Sequence, residues 1–356
     1  MRVGISLLTL VPGVVGGSET YARELTRALA RMGKLEYEAF VPPIAQDAAD
    51  GLPTRVIREY GARTTTAGRA SAMARAWAAP GRLRRALRLE TFDAVHFPLS
   101  VMLPPPGDTA PAAVTVHDLQ HETYPEFFSR AELAYRRVLY RRAATSSRIV
   151  IAISEHAREA LLERYGLDPE RVVAIPLGVD HDRLRPGNEP RQPFLLYPAN
   201  PWPHKNHARL YEAFALVRRE RPDLRLALTG TGHDAAALPE GVETRGRVPD
   251  DELVDLYRTA SALVFPSLYE GFGLPPLEAM ACGCPVAVSR ATSLPEVCGD
   301  AAEYFDPLSS EDMARAIAAV LDDPAAYAVR GPERARRFTW EATARRHEDV
   351  YRRLAG

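Results

Sequence analysis

Lysine is almost missing from this chain: Lys34 and Lys205 stand against 43 arginines in 356 residues. A sequence that uses arginine nearly everywhere a cation is wanted, yet keeps an ammonium inside NPWPHKNH at 200–207, marks Lys205 as a candidate for chemistry. Cysteine is scarce as well. Cys282, Cys284 and Cys298 are too few and too clustered for a disulfide framework, which points to a reducing compartment, and a zinc site needs more ligands at tighter spacing. No apolar run approaches the roughly 18 residues of a membrane span. The opening MRVGISLLTLVPGVVGGSE has one arginine and no small-residue cleavage site, so it reads as a strand and loop rather than a signal peptide. Net charge is only −1, which argues against a general polyanion binder and hence against nucleic acid as a partner. Neither half carries GxGxxG after its first strand, and a dinucleotide oxidoreductase loses its main support.

What is present alternates strand and helix from end to end. VGISLL, YEAFV, RVIREY, FDAVHF, AAVTVH, IVIAIS and VVAIPL are short, β-branched and apolar on both faces, as strands of a parallel sheet buried between helices are. Ser18 and Gly33, and again Ser154 and Gly166, bracket amphipathic stretches as helix start and stop signals. HDRLRPGNEPRQPF at 181–194, with three prolines and a glycine, reads as a linker. The alternation then restarts with FLLYPAN, LRLALTG, VETRGRV, ALVFPS, PVAVS and AEYFD as strands. At this length two domains are expected, both α/β, Rossmann-like and doubly wound around a parallel sheet, facing each other across a cleft, with boundaries at 1–185 and 186–338. Ligands of such sheets sit at the carboxyl ends of the strands.

The richest stretch is FPSLYEGFGLPPLEAMACGCPVAVS at 265–289. A buried strand runs into a loop holding Gly271 and Gly273, and LPPLEAMACG then has helix character with its prolines in the permitted first turn. Glycines at a strand-to-helix junction let backbone N–H groups approach an anion at the positive helix end, which describes a phosphate site. Glu270 and Glu278 bracket the junction. Carboxylates beside a phosphate repel it, so their task is to accept hydrogen bonds from neutral hydroxyls, such as a sugar on one side of a diphosphate and a ribose on the other. The bland alternative is a loop charge and a solvated helix carboxylate.

Glu270-GFGLPPL-Glu278 followed by AMACGCPVAVS resembles the motif of two glutamates with seven residues between them in retaining glycosyltransferases of the GT-B architecture, glycosyltransferase family 4 in particular. GGSETYARELTRAL, TVHD, IPLGVD, HKN, LTGTG and FTWEATARRHEDVYRRL extend the likeness over nearly the whole chain. The resemblance implies a final helix, 339–356, crossing back to the N-terminal domain, which binds the acceptor, while the C-terminal domain binds a nucleotide sugar. It places Lys205 against the donor diphosphate, where a compact ammonium approaches phosphate oxygen more closely than a planar guanidinium. His117, at the end of AAVTV, falls near the reacting sugar carbon, and Lys205, His117 and Glu270 form the implied catalytic set. Gly16, Gly17, Gly230, Gly232, Arg247, Val248, Gly271, Phe272, Gly273, Leu274 and Glu278 complete the implied donor site. One departure stands out: many members carry an arginine six residues before the lysine, where this chain has Ala199, leaving Asn200, His204, an arginine from elsewhere, or fewer cations in its place.

The implied activity is retaining, metal-independent transfer of a hexose, mannose or glucose from a UDP- or GDP-linked donor, to an acceptor hydroxyl in bacterial glycan, glycolipid or glycosylated natural-product biosynthesis. No cofactor beyond the nucleotide sugar is implied, and the setting is the cytoplasm. Asp180-His181-Asp182 spells the DxD of metal-dependent glycosyltransferases of another fold but lies at the hinge, so no metal is expected. The arginine-rich stretches 69–90 and 130–148 read as helices with one basic face, solvated in the ordinary case, with peripheral contact at the inner membrane face as the alternative. A sugar-nucleotide epimerase or hydrolase of the same fold, and a noncatalytic nucleotide-sugar-binding protein, are the rival functions.

Overall fold

A computed structural model describes residues 1–14, 16–61 and 64–356. The chain forms two compact units, one of Met1–Gly178 with Trp340–Gly356, the other of Val179–Thr339. These divisions stand beside the expected ones at 185 and 338.

Among the described residues the first unit holds a seven-stranded sheet of β1 (Arg2–Ser6), β2 (Glu36–Val41), β3 (Thr54–Val56), β4 (Ala94–Phe97), β5 (Ala112–Val116), β6 (Ile149–Ala152) and β7 (Val172–Ala174). Its order is β3-β2-β1-β4-β5-β6-β7, and every pairing is parallel. The apolar two-faced strands produce this: Val3, Ile5, Val95, Val114 and Val150 are wholly buried, each contributing about 1.5–3 kcal/mol by leaving water. Ser154 caps the Glu155–Tyr165 helix by accepting from Ala157 N at 3.0 Å, and Gly166 closes it in the left-handed region. The first helix differs from its sequence signals. It starts at Gly17 with Gly16 as its N-cap, so Ser18 lies in the first turn. Gly33 ends it with extended backbone, and the need for glycine there is steric, because a Cβ would meet the Tyr37 ring at 2.5 Å.

The Trp340–Ala355 helix belongs to this unit and packs on the Gly17–Met32 helix and on β4 and β5. Its buried Glu348 accepts from the Tyr37 hydroxyl, from Lys34 N and from Arg352. Burial raises the Glu348 carboxyl, but these three donors together hold it below the ordinary carboxylate range.

The second unit has six described strands: β8 (Gln192–Pro198), β9 (Arg225–Thr229), β10 (Val242–Thr244), β11 (Ala260–Phe265), β12 (Val286–Ser289) and β13 (Glu303–Phe305). They are ordered β10-β9-β8-β11-β12-β13, all parallel. The order reverses between β8 and β11, the switch point where open α/β sheets bind ligands. All three cysteines are free and buried here; burial pushes the Cys284 thiol to about 11 and those of Cys282 and Cys298 to about 12, so none is a ready thiolate.

Burial also lowers the imidazoles of His96, His117, His121 and His347 in the first unit, His347 to about 4. The unfolded chain takes up protons at these positions below about pH 6.5 more readily than the folded chain does, so stability declines as pH drops below that value, by at most about 1.4 kcal/mol per pH unit per imidazole. Scanning calorimetry should therefore show the first unit melting on the order of 10 °C lower at pH 5 than at pH 7.5. A melting temperature unchanged between those values contradicts the neutral burial of these side chains.

Candidate functional site

The two strands flanking the switch of the second sheet bring the lone ammonium and the first glutamate together. β8 ends at Pro198, and the chain turns through Pro203–Lys205 before the His207–Glu220 helix. β11 ends at Phe265 and leads to Glu270. Lys205 Nζ donates to Glu270 Oε1 at 2.7 Å, with the side chains only 12% and 14% exposed, and the ammonium also lies 5.0 Å from the centroid of the Phe265 ring. One of its three N–H donors goes to the carboxylate, which leaves donors for a ligand.

Both backbones are held firmly. The Tyr197 hydroxyl donates to Lys205 O at 2.7 Å and Leu268 N to His204 O at 2.8 Å, so the two loops are stapled to each other. Asn206, at φ 60°, donates through Nδ2 to Pro266 O at 3.1 Å and Pro307 O at 2.8 Å. From beyond β12, Thr292 Oγ1 accepts from Glu270 N at 3.0 Å, while Ser293 Oγ reaches both Glu270 O at 3.0 Å and Phe272 O at 2.8 Å. Gly271 continues the loop, and Phe272 is buried, its ring edge-on to Phe338 at 5.9 Å. Gly273 caps the Leu274–Ala281 helix at φ 112°, and a Cβ there would meet Leu294 Cδ2 at 2.6 Å, so only glycine lets the chain turn into the helix here. Pro275 and Pro276 in the first turn have no N–H, which leaves Leu274 as the first-turn amide beside the cap.

Glu278, one turn into that helix, accepts at Oε2 from the Tyr257 hydroxyl at 2.9 Å. This fixes the carboxylate from the buried side. Tyr257 comes from the Asp250–Thr259 helix, and burial raises its phenol well above the ordinary value, so it remains a donor.

Gly230 and Gly232 form the loop after β9 at φ 118° and 90°. Asn200 Oδ1 accepts from Thr231 N at 2.8 Å and Gly230 N donates to Gly246 O at 2.8 Å, which ties the ends of β8, β9 and β10 together. Arg247 and Val248 follow Gly246 at the outer end of this row, the arginine exposed and the valine half-buried. Ala199 is buried, and its carbonyl accepts from His233 Nε2 at 2.9 Å. Asn200 is thus committed to the glycine loop. His207, whose ring lies 5.2 Å from that of His233, is lowered to about 4 by burial, then by His233 and Lys205.

In the first unit Gly16 and Gly17 stand at the carboxyl side of β1, where Glu19 N donates to Gly16 O at 2.9 Å and Glu19 Oε2 accepts from Gly13 N at 2.7 Å. His117 immediately follows β5 and is buried. Its Nε2 lies 2.8 Å from Pro98 O, and a carbonyl can only accept, so Nε2 carries the proton. Burial lowers the imidazole and keeps it neutral, leaving Nδ1 as an acceptor. Its backbone N donates to Ser100 Oγ at 3.2 Å. The DxD triplet is a local turn in which Asp180 Oδ1 accepts from Asp182 N at 3.1 Å.

Sequence reasoning named Lys205, Glu270, Gly273 and Glu278 but missed the side chains that fix them, Tyr257, Thr292, Ser293 and Tyr197. No spacing rule reaches across separate strands to find these. Tyr21, Thr343, His347 and Tyr351 were also unmarked, although the last three recur every fourth residue along one face of a helix, a signal of joint burial.

Comparison with known proteins bears on the same residues. A family model for group 1 glycosyl transferases matches residues 180–343, and one for glycosyltransferase family 4 matches 15–183. The O-antigen chain mannosyltransferase B of Escherichia coli is 32% identical over 273 residues, 68% of this chain and 70% of its own length. An MMP alpha-(1->4)-mannosyltransferase of Mycolicibacterium hassiacum is 30% identical over 60% of this chain and 56% of its own length. Among solved structures, sucrose-phosphate synthase of Thermosynechococcus elongatus superposes with a TM-score of 0.77 at 21% identity, covering 99% of both chains. Anabaena Alr3699/HepE in complex with UDP and glucose gives 0.72 at 16% identity over 98% of this chain and 99% of its own. At such identities these structures share the fold, the GT-B architecture of two parallel-sheet domains.

Proposed function

This chain belongs to the group 1, family 4 glycosyltransferases, and from that premise we propose that it moves a hexose, with retention of anomeric configuration and without a metal, from a UDP- or GDP-linked donor to an acceptor hydroxyl of a glycan, lipid-linked glycan or small molecule. The observation that carries this reading is the meeting of Lys205 and Glu270 at 2.7 Å across the switch point, beside a glycine-capped helix N-terminus with Glu278 one turn inside. Charge that develops on the departing diphosphate is met by the Lys205 ammonium and by the positive end of the Gly273-capped helix, with Leu274 N–H as its first-turn donor. Glu270, neutralised by Lys205, is free of the repulsion a bare carboxylate exerts on a phosphate and offers its other oxygen to a sugar hydroxyl. Glu278, oriented by Tyr257, accepts from the ribose, and Gly230, Gly232, Arg247 and Val248 border the nucleoside. His117 Nδ1 accepts a hydroxyl hydrogen of the sugar. The leaving diphosphate takes the acceptor's proton, so the chain has to supply alignment and charge stabilisation rather than a general base.

Mannosyl transfer is favoured because both relatives compared are named mannosyltransferases, while the neighbour that holds UDP and glucose supports a ribonucleotide donor. No helix among the described residues is long and apolar enough to cross a membrane. Peripheral contact falls to the Arg130–Ser146 helix, which exposes Tyr135 and Val138 among its arginines; Arg69, which opens the other basic stretch, has a side chain outside the described residues. A thermal-shift panel of UDP- and GDP-sugars should give one clear stabilising donor. That donor should then stay intact until an acceptor is added. Isomerisation or hydrolysis with donor alone, at the rate seen with acceptor, sinks transfer in favour of an epimerase or hydrolase.

A further inference from the structure

Five buried side chains of the first unit form one line of hydrogen bonds that no step of the proposed reaction uses. The Tyr351 hydroxyl lies 2.9 Å from His96 Nδ1, His96 Nε2 lies 2.8 Å from Thr115 Oγ1, and Thr115 Oγ1 lies 2.8 Å from the Tyr21 hydroxyl. The Tyr21 hydroxyl in turn lies 2.7 Å from His347 Nε2, and His347 Nδ1 lies 2.8 Å from the carbonyl of Thr343. That carbonyl decides the direction of the whole line. It can only accept, so His347 Nδ1 holds the proton. With the imidazole neutral, Nε2 is an acceptor and Tyr21 must donate to it. The Tyr21 oxygen then accepts from Thr115, Thr115 from His96 Nε2–H, and His96 Nδ1 from Tyr351. Each donor meets one acceptor, and the line begins and ends on the same helix, at Tyr351 and Thr343.

Tyr21 is where this line touches the candidate site. Its ring stands edge-on to the His117 imidazole, centroids 5.0 Å apart at 81°. Thr115 ends two residues short of His117, and strand alternation puts both on one face, so a single tyrosine meets the first through its hydroxyl and the second through its ring. We propose that Tyr21, locked by Thr115 and by His347 of the C-terminal helix, is a positioning residue that holds the His117 imidazole in the orientation that keeps Nε2–H on Pro98 O and Nδ1 available to the donor sugar. This rests on the reading of His117 as a sugar contact. A phenylalanine at this position keeps the ring but loses both tethers, so the wall against His117 is no longer fixed.

The test uses the full chain labelled with nitrogen-15 at histidine. Wild type should show His117 as a single tautomer protonated at Nε2. In Tyr21→Phe those two resonances should move together toward an average of the two tautomers, and kcat should fall about tenfold with the donor KM within about twofold. His117 resonances and kcat both as in wild type overturn the proposal, and so does a fall in kcat with the resonances unmoved. Should Tyr21→Phe fail to fold, His347 carries the same test: His347→Gln can still accept from Tyr21 and should keep the His117 tautomer, whereas His347→Leu should lose it. Identical behaviour of those two variants overturns the proposal. Normal turnover in His117→Ala would instead remove His117 from the sugar site, and the positioning of its ring would then be judged on the resonances alone.

Discussion

Lys205→Ala should lower the transfer rate by about 100- to 1,000-fold, the effect of removing one preorganised charge from a transition state, while donor affinity changes far less. Charge on the diphosphate grows as the sugar–phosphate bond breaks, so the ammonium contributes most at the transition state and kcat carries the loss. A second effect acts in the same direction. Glu270 is only 14% exposed and its partner is Lys205, so the variant leaves a carboxylate beside the incoming phosphate without its counter-charge. Lys205→Arg should not restore the rate, because the planar fork cannot keep the approach to Glu270 beneath the Phe265 ring. Steady-state kinetics with donor and acceptor both saturating checks this, and a variant with kcat near that of wild type removes Lys205 from the chemistry.

Glu278→Ala should act on binding instead. A hydrogen bond to a charged group contributes about 1.5–3 kcal/mol, so the donor dissociation constant should rise about 10- to 150-fold with kcat at saturation changing little. Tyr257→Phe should weaken binding only a few-fold, since the carboxylate remains and loses one orienting donor at 2.9 Å. Calorimetric titration with the nucleoside diphosphate separates the two. Equal losses in both variants mean that Tyr257 carries the structure of the helix rather than the aim of the carboxylate.

The fold was legible because it is written in local terms. Apolar strand-length runs between amphipathic segments define thirteen strands, all found, and parallel pairing follows from their two-faced apolarity. The candidate site was legible where local chemistry is unusual: a lone lysine, glycines at a strand-to-helix junction, two glutamates flanking it. What stayed hidden is pairing across sequence distance. Nothing local tells that Lys205 meets Glu270, that Thr292 and Ser293 hold the glutamate loop, or that Tyr21 joins Thr115 to His347. Helix ends were read less well where backbone geometry replaced side-chain capping, as at Gly16 and Gly33, since a steric demand for glycine looks in sequence like a left-handed cap.

The proposed transfer depends on a diphosphate being held at the end of β8 and β11. A crystal structure of the chain soaked or grown with its stabilising nucleoside diphosphate sugar tests that directly. The diphosphate should sit within hydrogen-bond distance of Lys205 Nζ and of Leu274 N at the start of the Leu274–Ala281 helix, with a ribose hydroxyl on Glu278. A nucleotide bound with its phosphates elsewhere, and Lys205 still turned wholly to Glu270, would contradict it.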